Sequence, residues 1–223
     1  MNRTRSIFDI VGPVMVGPSS SHTAGAARLG LLAREILGER PSSVRVLLHG
    51  SFASTGRGHG TDLALAAGLL GMGIDDPQLP QAVVIAADSG LDITFEDADL
   101  GDWHPNTARF ELRAADGRHV CVTGSSLGGA EVVVTRIDDF DVEITGELPA
   151  LIVSHVDRPG VIARVTAALA EEGINIAAMA DSRERRGQGA LMLIETDGPV
   201  SETTQQRIRD LDGVDGVRSV PAV

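Results

Sequence analysis

From Ala150 to Val220 the chain alternates apolar runs with amphipathic stretches in an order that few folds satisfy. The run "ALIVSHV" (Ala150 to Val156) predicts a buried strand, and "DRPG" predicts a turn whose Pro159 suits a helix start. Val161, Val165 and Leu169 recur four apart, which places them on one helix face, and Gly173 predicts the stop. "INIAAMAD" predicts a second strand, "RERRGQG" a hairpin turn and "ALMLIET" a third strand. Ser201 predicts the N-cap of a short helix that stops at Gly213, and "VDGVRSV" predicts the last strand. The order β-α-β-β-α-β is that of a ferredoxin-like split unit.

A change of pattern at Gly146 to Pro149 predicts two domains, residues 1–146 and 147–223. In the first, Thr23 to Gly38 predicts a helix and Val44 to Gly50 a strand. "SFASTGRGHG" reads as a long loop, leading into "TDLALAAGLLGMG", which is apolar on nearly all sides and so predicts a buried helix. Further strands are expected at "AVVIAA", "DITFE", "RFELRA", "HVCVTG" and "EVVVTRID", with "GSSLGGAE" a glycine-rich hairpin. Cys121, between two valines, reads as a small buried hydrophobe. The fold class is α/β of the α+β kind: a mixed-sheet N-terminal domain plus the C-terminal βαββαβ unit.

Composition excludes several chemistries. All 19 basic residues are arginine. Without lysine, the chain completes neither a pyridoxal phosphate Schiff base nor a P-loop. Tyrosine is absent too, so no phenol donates a proton. A net charge of −12 opposes binding to nucleic acid. No apolar run is long enough to span a membrane, and "MNRTRSIFDIVGP" reads as mature protein rather than a signal peptide. One cysteine excludes an internal disulfide and fits a reducing cytoplasm.

The candidate site lies in "GPSSSHTAG". Serine and threonine cap helix N-termini, whose unpaired N–H groups attract anions. Ser19, Ser20, Ser21 and Thr23 are candidate carboxylate contacts, and His22 adds a group that titrates near neutrality. "TGRGHGTD" repeats the logic: Arg57 to hold a carboxylate, His59 as a second acid/base group, Thr61 as a helix cap and Asp62 in the first turn. His22 and His59 are the candidate catalytic pair. "HPNTARF" adds Asn106 and Thr107. The histidines lack metal-ligand spacing, so no metal site is expected in this chain.

These motifs together resemble the beta chains of bacterial iron–sulfur L-serine dehydratases, and "DRPGVIARVTAALAEEGINIAAM" resembles the signature stretch of an ACT domain. One departure is Ala130, where the family tends to carry a third glycine after Gly128 and Gly129. The resemblance implies conversion of L-serine to pyruvate and ammonia without pyridoxal phosphate, in amino-acid degradation and gluconeogenesis. It also implies a 4Fe–4S cluster. Such clusters take several thiolates, so with one cysteine here the cluster belongs on a partner alpha chain. It further implies self-association through the ACT domain and a regulatory amino acid, L-serine itself, at Asp157, Gly160, Val161, Ile162, Asn175 and Ile176. The alternative is a non-catalytic amino-acid sensor with no catalytic partner.

Overall fold

The computed structural model describes residues 14–223; the N-terminal segment read as mature protein lies outside them. Cα packing divides the chain into two compact units, Met1–Thr135 and Arg136–Val223.

The first unit opens with a single π-helical turn at Ser20–Ala24, which runs directly into α1 (Gly25–Leu37). Strand β1 (Ser43–Leu48) follows, then α2 (Ser51–His59), α3 (Thr61–Leu70) and α4 (Ala82–Asp88) before β2 (Asp92–Asp97). Strands β3 (Thr107–Arg113) and β4 (His119–Gly128) follow in this unit, β5 (Glu131–Ile137) runs across the division and β6 (Phe140–Ile144) falls in the second unit; the sheet order is β2-β1-β3-β4-β5-β6. Strand β1 pairs parallel to β2 and antiparallel to β3. A parallel neighbour needs a long crossover, and α2, α3 and α4 supply it.

The expected strand "AVVIAA" is α4 instead. Ala82 and Ala86, four apart, are buried, whereas Val83 and Val84 are 37% and 62% exposed. That is burial of one helical face, and the β-branched run misled by composition. The expected loop "SFASTGRGHG" is likewise helical through His59. Phe52 and Gly56, again four apart, pack inward and override the poor helix propensity of the glycines. Cys121 is half-buried rather than enclosed, and Arg109 Nε donates to its Sγ at 3.1 Å.

Helices α1 and α3 meet at backbone distance. A Cβ at Gly30 would lie 2.4 Å from Leu65 O, and one at Gly68 would lie 2.0 Å from Ala27 O. Over the sheet, a Cβ at Gly124 would strike Leu29 Cδ1 at 2.7 Å, so α1 lies directly on β4. At the β4–β5 hairpin, Ala130 adopts φ 66°, the left-handed conformation that a glycine would take without strain.

The second unit carries β7 (Ala150–Val156), α5 (Val161–Glu171), β8 (Ile176–Arg183), β9 (Gly189–Thr196), α6 (Glu202–Arg209) and β10 (Val214–Val220). The sheet order β10-β7-β9-β8 is that of the expected split unit. Val161, Val165 and Leu169 are buried against Leu151, Val153, Met192 and Ile194. Ser201 caps α6, its side chain accepting from Thr204 N at 3.2 Å.

Replacing Gly68 with Ala forces α1 and α3 apart. Overpacking of this kind costs about 1–3 kcal/mol. The apparent Tm followed by circular dichroism is therefore expected to fall by several degrees. The same substitution at Gly58, which faces open space, has no such clash to relieve and is expected to leave the Tm close to wild type.

Candidate functional site

Three segments converge beside the start of α1. Ser19 begins the π-turn in extended conformation and its side chain accepts from His22 N at 3.1 Å. The backbone of Ser19 accepts from Thr23 N and Ala24 N, and Ser20 O accepts from Gly25 N. This leaves the N–H groups of Ser20 and Ser21 and the Ser20 hydroxyl without partners among the described residues. These are the donors left open at this helix start.

His22 reaches the first turns of α2. Its Nε2 lies 3.0 Å from Ser51 Oγ and 3.2 Å from Thr55 Oγ1, and its Nδ1 lies 3.1 Å from Ser21 Oγ. The ring stacks edge-on against the buried Phe52 at 5.4 Å and lies 5.0 Å from the ring of His59. Burial, and then the neighbouring His59, hold the His22 pKa below the ordinary imidazole value of 6.5, against a hydrogen bond to Ser51 that favours the cation.

His59 is the last residue of α2 rather than part of a loop opening α3. Its Nδ1 donates to Thr55 O at 3.0 Å. Gly60, at φ 68°, turns the chain directly into α3, so Thr61 is the first residue of that helix and not its cap. Asp62 does stand in the first turn. Arg57 is exposed and makes no ion pair among the described residues.

Other candidates have their groups engaged. Thr23 is buried, and its Oγ1 donates to His59 O at 3.1 Å, tying the π-turn to the end of α2. Thr107 is fully buried, donating to His104 O at 2.6 Å beside Ser125 Oγ at 2.7 Å. Asn106 Nδ2 donates to Ser126 O at 3.3 Å. Pro105 O accepts from Ser51 N at 2.7 Å, so this loop caps α2. Sequence reasoning missed Ser51 and Thr55. Their four-residue spacing signals a shared helix face, but only once the segment is known to be helical.

Among the described residues, two hydroxyls are buried with no partner, Ser126 Oγ and Thr61 Oγ1. The first sits where a Cβ on Gly25 would fall, 2.0 Å away, and the second lies 3.2 Å from a Cβ on Gly56. Both therefore border the converging segments. A separate groove of about 490 Å³ on the other face of the sheet is lined by Arg45, Arg109, Arg113, His119 and Cys121 and shares no residue with the histidines. Arg45 there pairs with Glu96 and Glu111.

In the second unit, Gly160 caps α5 in the left-handed region, Val161 is buried in the core, and Ile162 is exposed. Asp157 accepts from Gly187 N at 3.0 Å and Arg183 Nη1 at 3.1 Å, and these bonds hold its carboxyl below the usual range. Asn175 directly precedes β8, whose first residue is Ile176, and its Nδ2 donates to Asp197 Oδ2 at 2.7 Å.

The family model described as "Serine dehydratase beta chain" matches residues 6–82, and the one described as "ACT domain" matches residues 150–213. The chain is 42% identical to the probable L-serine dehydratase, beta chain, of Bacillus subtilis (strain 168), over 94% of this chain and 95% of that one. It is 35% identical to the L-serine dehydratase, beta chain, of Peptoniphilus asaccharolyticus, over 91% and 92% respectively. It is also 26% identical to the D-3-phosphoglycerate dehydrogenase of Methanocaldococcus jannaschii, over 86% of this chain but only 36% of that enzyme.

Because the folded state lowers the His22 pKa, its neutral ring contributes stability that is present above 6.5 and lost as pH falls through the lowered value. An imidazole NMR titration is expected to place the His22 midpoint below 6.5, and His59→Gln is expected to raise it by removing the neighbouring charge. A midpoint at or above 6.5 in the wild type would contradict the assignment of burial as the dominant cause.

Proposed function

The chain belongs to the L-serine dehydratase beta-chain family, and we propose that, as the beta subunit of that enzyme, it lends its histidine cluster to the substrate site and its second unit to regulation. The observation that carries the reading is the meeting of two imidazoles, 5.0 Å apart, with an open pair of helix-start N–H groups. A serine carboxylate has donors at Ser20 and Ser21. Arg57, unpaired and two residues before His59, supplies a further cation within the same segment.

In the reaction, a histidine takes the α-proton of serine, and the electron pair of the C–H bond forms the Cα–Cβ double bond. The β-hydroxyl leaves with a proton as water. The resulting enamine tautomerises and hydrolyses to pyruvate and ammonia. This chain's part is to hold the carboxylate and to move the α-proton.

The iron–sulfur cluster implied by the resemblance does not fit this chain. Its one cysteine is engaged by Arg109, and no group of three or more His, Cys, Asp or Glu among the described residues is placed to hold a metal. We assign the cluster to the alpha chain, which makes the active site a joint product of two polypeptides. No helix among the described residues is long and apolar enough to cross a membrane. The single cysteine supports a reducing cytoplasm as the working compartment.

The second unit is the regulatory part of the proposal. The N–H groups at the start of α5, from Gly160 to Ile162, and the Asn175 amide are the groups for an amino-acid ligand, and the exposed edge strand β8 is the surface for self-association. L-serine is the ligand that links this unit to the reaction.

In an enzyme reconstituted with its alpha chain, His59→Ala is expected to lower kcat by about 10²–10⁴ while serine still binds. Unchanged turnover with altered activation by serine would assign the cluster to regulation instead. Titration calorimetry of the full chain is expected to show serine binding that Asn175→Ala weakens and His59→Ala leaves in place. Absence of heat with serine at millimolar levels would reduce the second unit to a dimerisation module.

A further inference from the structure

Hydrogen positions around the two histidines follow from what each neighbour can donate. Thr55 Oγ1 lies 2.9 Å from Ser51 O, a carbonyl that only accepts, so the single Thr55 hydroxyl proton points there. Thr55 Oγ1 is then an acceptor toward its other two neighbours, Ser51 Oγ at 3.2 Å and His22 Nε2 at 3.2 Å. A lone pair on His22 Nε2 would face the Thr55 lone pairs across that contact. A proton on Nε2 instead satisfies every member. Nε2–H donates to Ser51 Oγ and Thr55 Oγ1, Ser51 O–H donates to Thr55 Oγ1, and Thr55 O–H closes on Ser51 O. The remaining His22 nitrogen, Nδ1, carries the lone pair and accepts from Ser21 O–H at 3.1 Å.

His59 is set the other way by the same residue. Its Nδ1 faces Thr55 O at 3.0 Å, and a carbonyl requires N–H there, so its lone pair resides on Nε2. His59 Nε2 has no hydrogen-bond partner among the described residues, and the side chain is exposed.

We propose that Thr55 is a positioning residue that locks His22 and His59 in opposite tautomers, leaving His59 Nε2 as the one uncapped basic nitrogen of the cluster. Its side chain fixes His22 and its carbonyl fixes His59. His22 is then the structural partner, with both nitrogens occupied by serine and threonine hydroxyls, and His59 is the group that takes the substrate proton. This rests on the dehydratase reading for the identity of the proton but not for the tautomers. The lowered His22 pKa agrees, since a ring bonded on both sides while neutral has little call for a second proton.

The test uses the full chain labelled with ¹⁵N-histidine, observed at alkaline pH where imidazoles are neutral, with His22→Gln and His59→Gln for assignment. The expected spectrum shows His22 protonated at Nε2 and His59 protonated at Nδ1. Thr55→Val is expected to shift the His22 tautomer balance and leave His59 unchanged, because the carbonyl remains. Ser51→Ala is expected to keep His22 as Nε2–H, since Thr55 Oγ1 still accepts. The same tautomer at both rings in the wild type, which needs no variant to fold, overturns the proposal. So does a His22 signal indifferent to Thr55→Val. Turnover insensitive to His59→Ala would instead remove the reaction assignment and leave the tautomer result standing.

Discussion

The close contact between α1 and α3 is the constraint on which the first unit depends. Gly30 and Gly68 bring two helix backbones to a distance that no side chain would permit. The π-turn is continuous with α1, and His59 adjoins α3 across a single glycine. Locking the two helices therefore sets the separation of His22 and His59. The Thr23 hydroxyl on His59 O seals the arrangement from the inside. Small residues at the helix contact thus act on the site without touching it.

Around that frame, most polar groups near the histidines are already matched. Pro105 O accepts from the first N–H groups of α2, and a Cβ on Gly50 would lie 2.7 Å from that same oxygen. The loop that looked like a third set of ligand contacts is thus an internal cap, with Thr107 buried beneath it. Among the described residues, what stays open is narrow: the N–H groups of Ser20 and Ser21, the Ser20 hydroxyl, Arg57 and the exposed edge of His59. A buried donor already satisfied gains nothing from a ligand.

The second unit was legible in the sequence almost throughout. Val161, Val165 and Leu169 face the core as their spacing requires, and Ser201 caps α6 as its chemistry suggests. Each of these signals is local: a period, a cap or a turn read within one element. The first unit was less legible where glycine and β-branched residues contradict the structure they adopt. "SFASTGRGHG" forms a helix because Phe52 and Gly56 pack inward, and "AVVIAA" forms one because Ala82 and Ala86 do. Tertiary packing outweighed propensity at both places.

The motif "SSSHT" and the residue His59 were identifiable as candidates from residue type alone, and the near relatives carry the family assignment on sequence. The lysine and cysteine counts likewise needed no structure: without lysine the chain completes no pyridoxal phosphate Schiff base, and one cysteine cannot supply the several thiolates of an iron–sulfur cluster. Only the tertiary structure decided which groups meet. Ser51 and Thr55 lie 29 and 33 residues from His22 and bond to it because α2 is a helix docked beside the π-turn. Local chemistry is written in residue type and spacing. The state of an imidazole depends on what faces each nitrogen, and that is set by packing between distant segments.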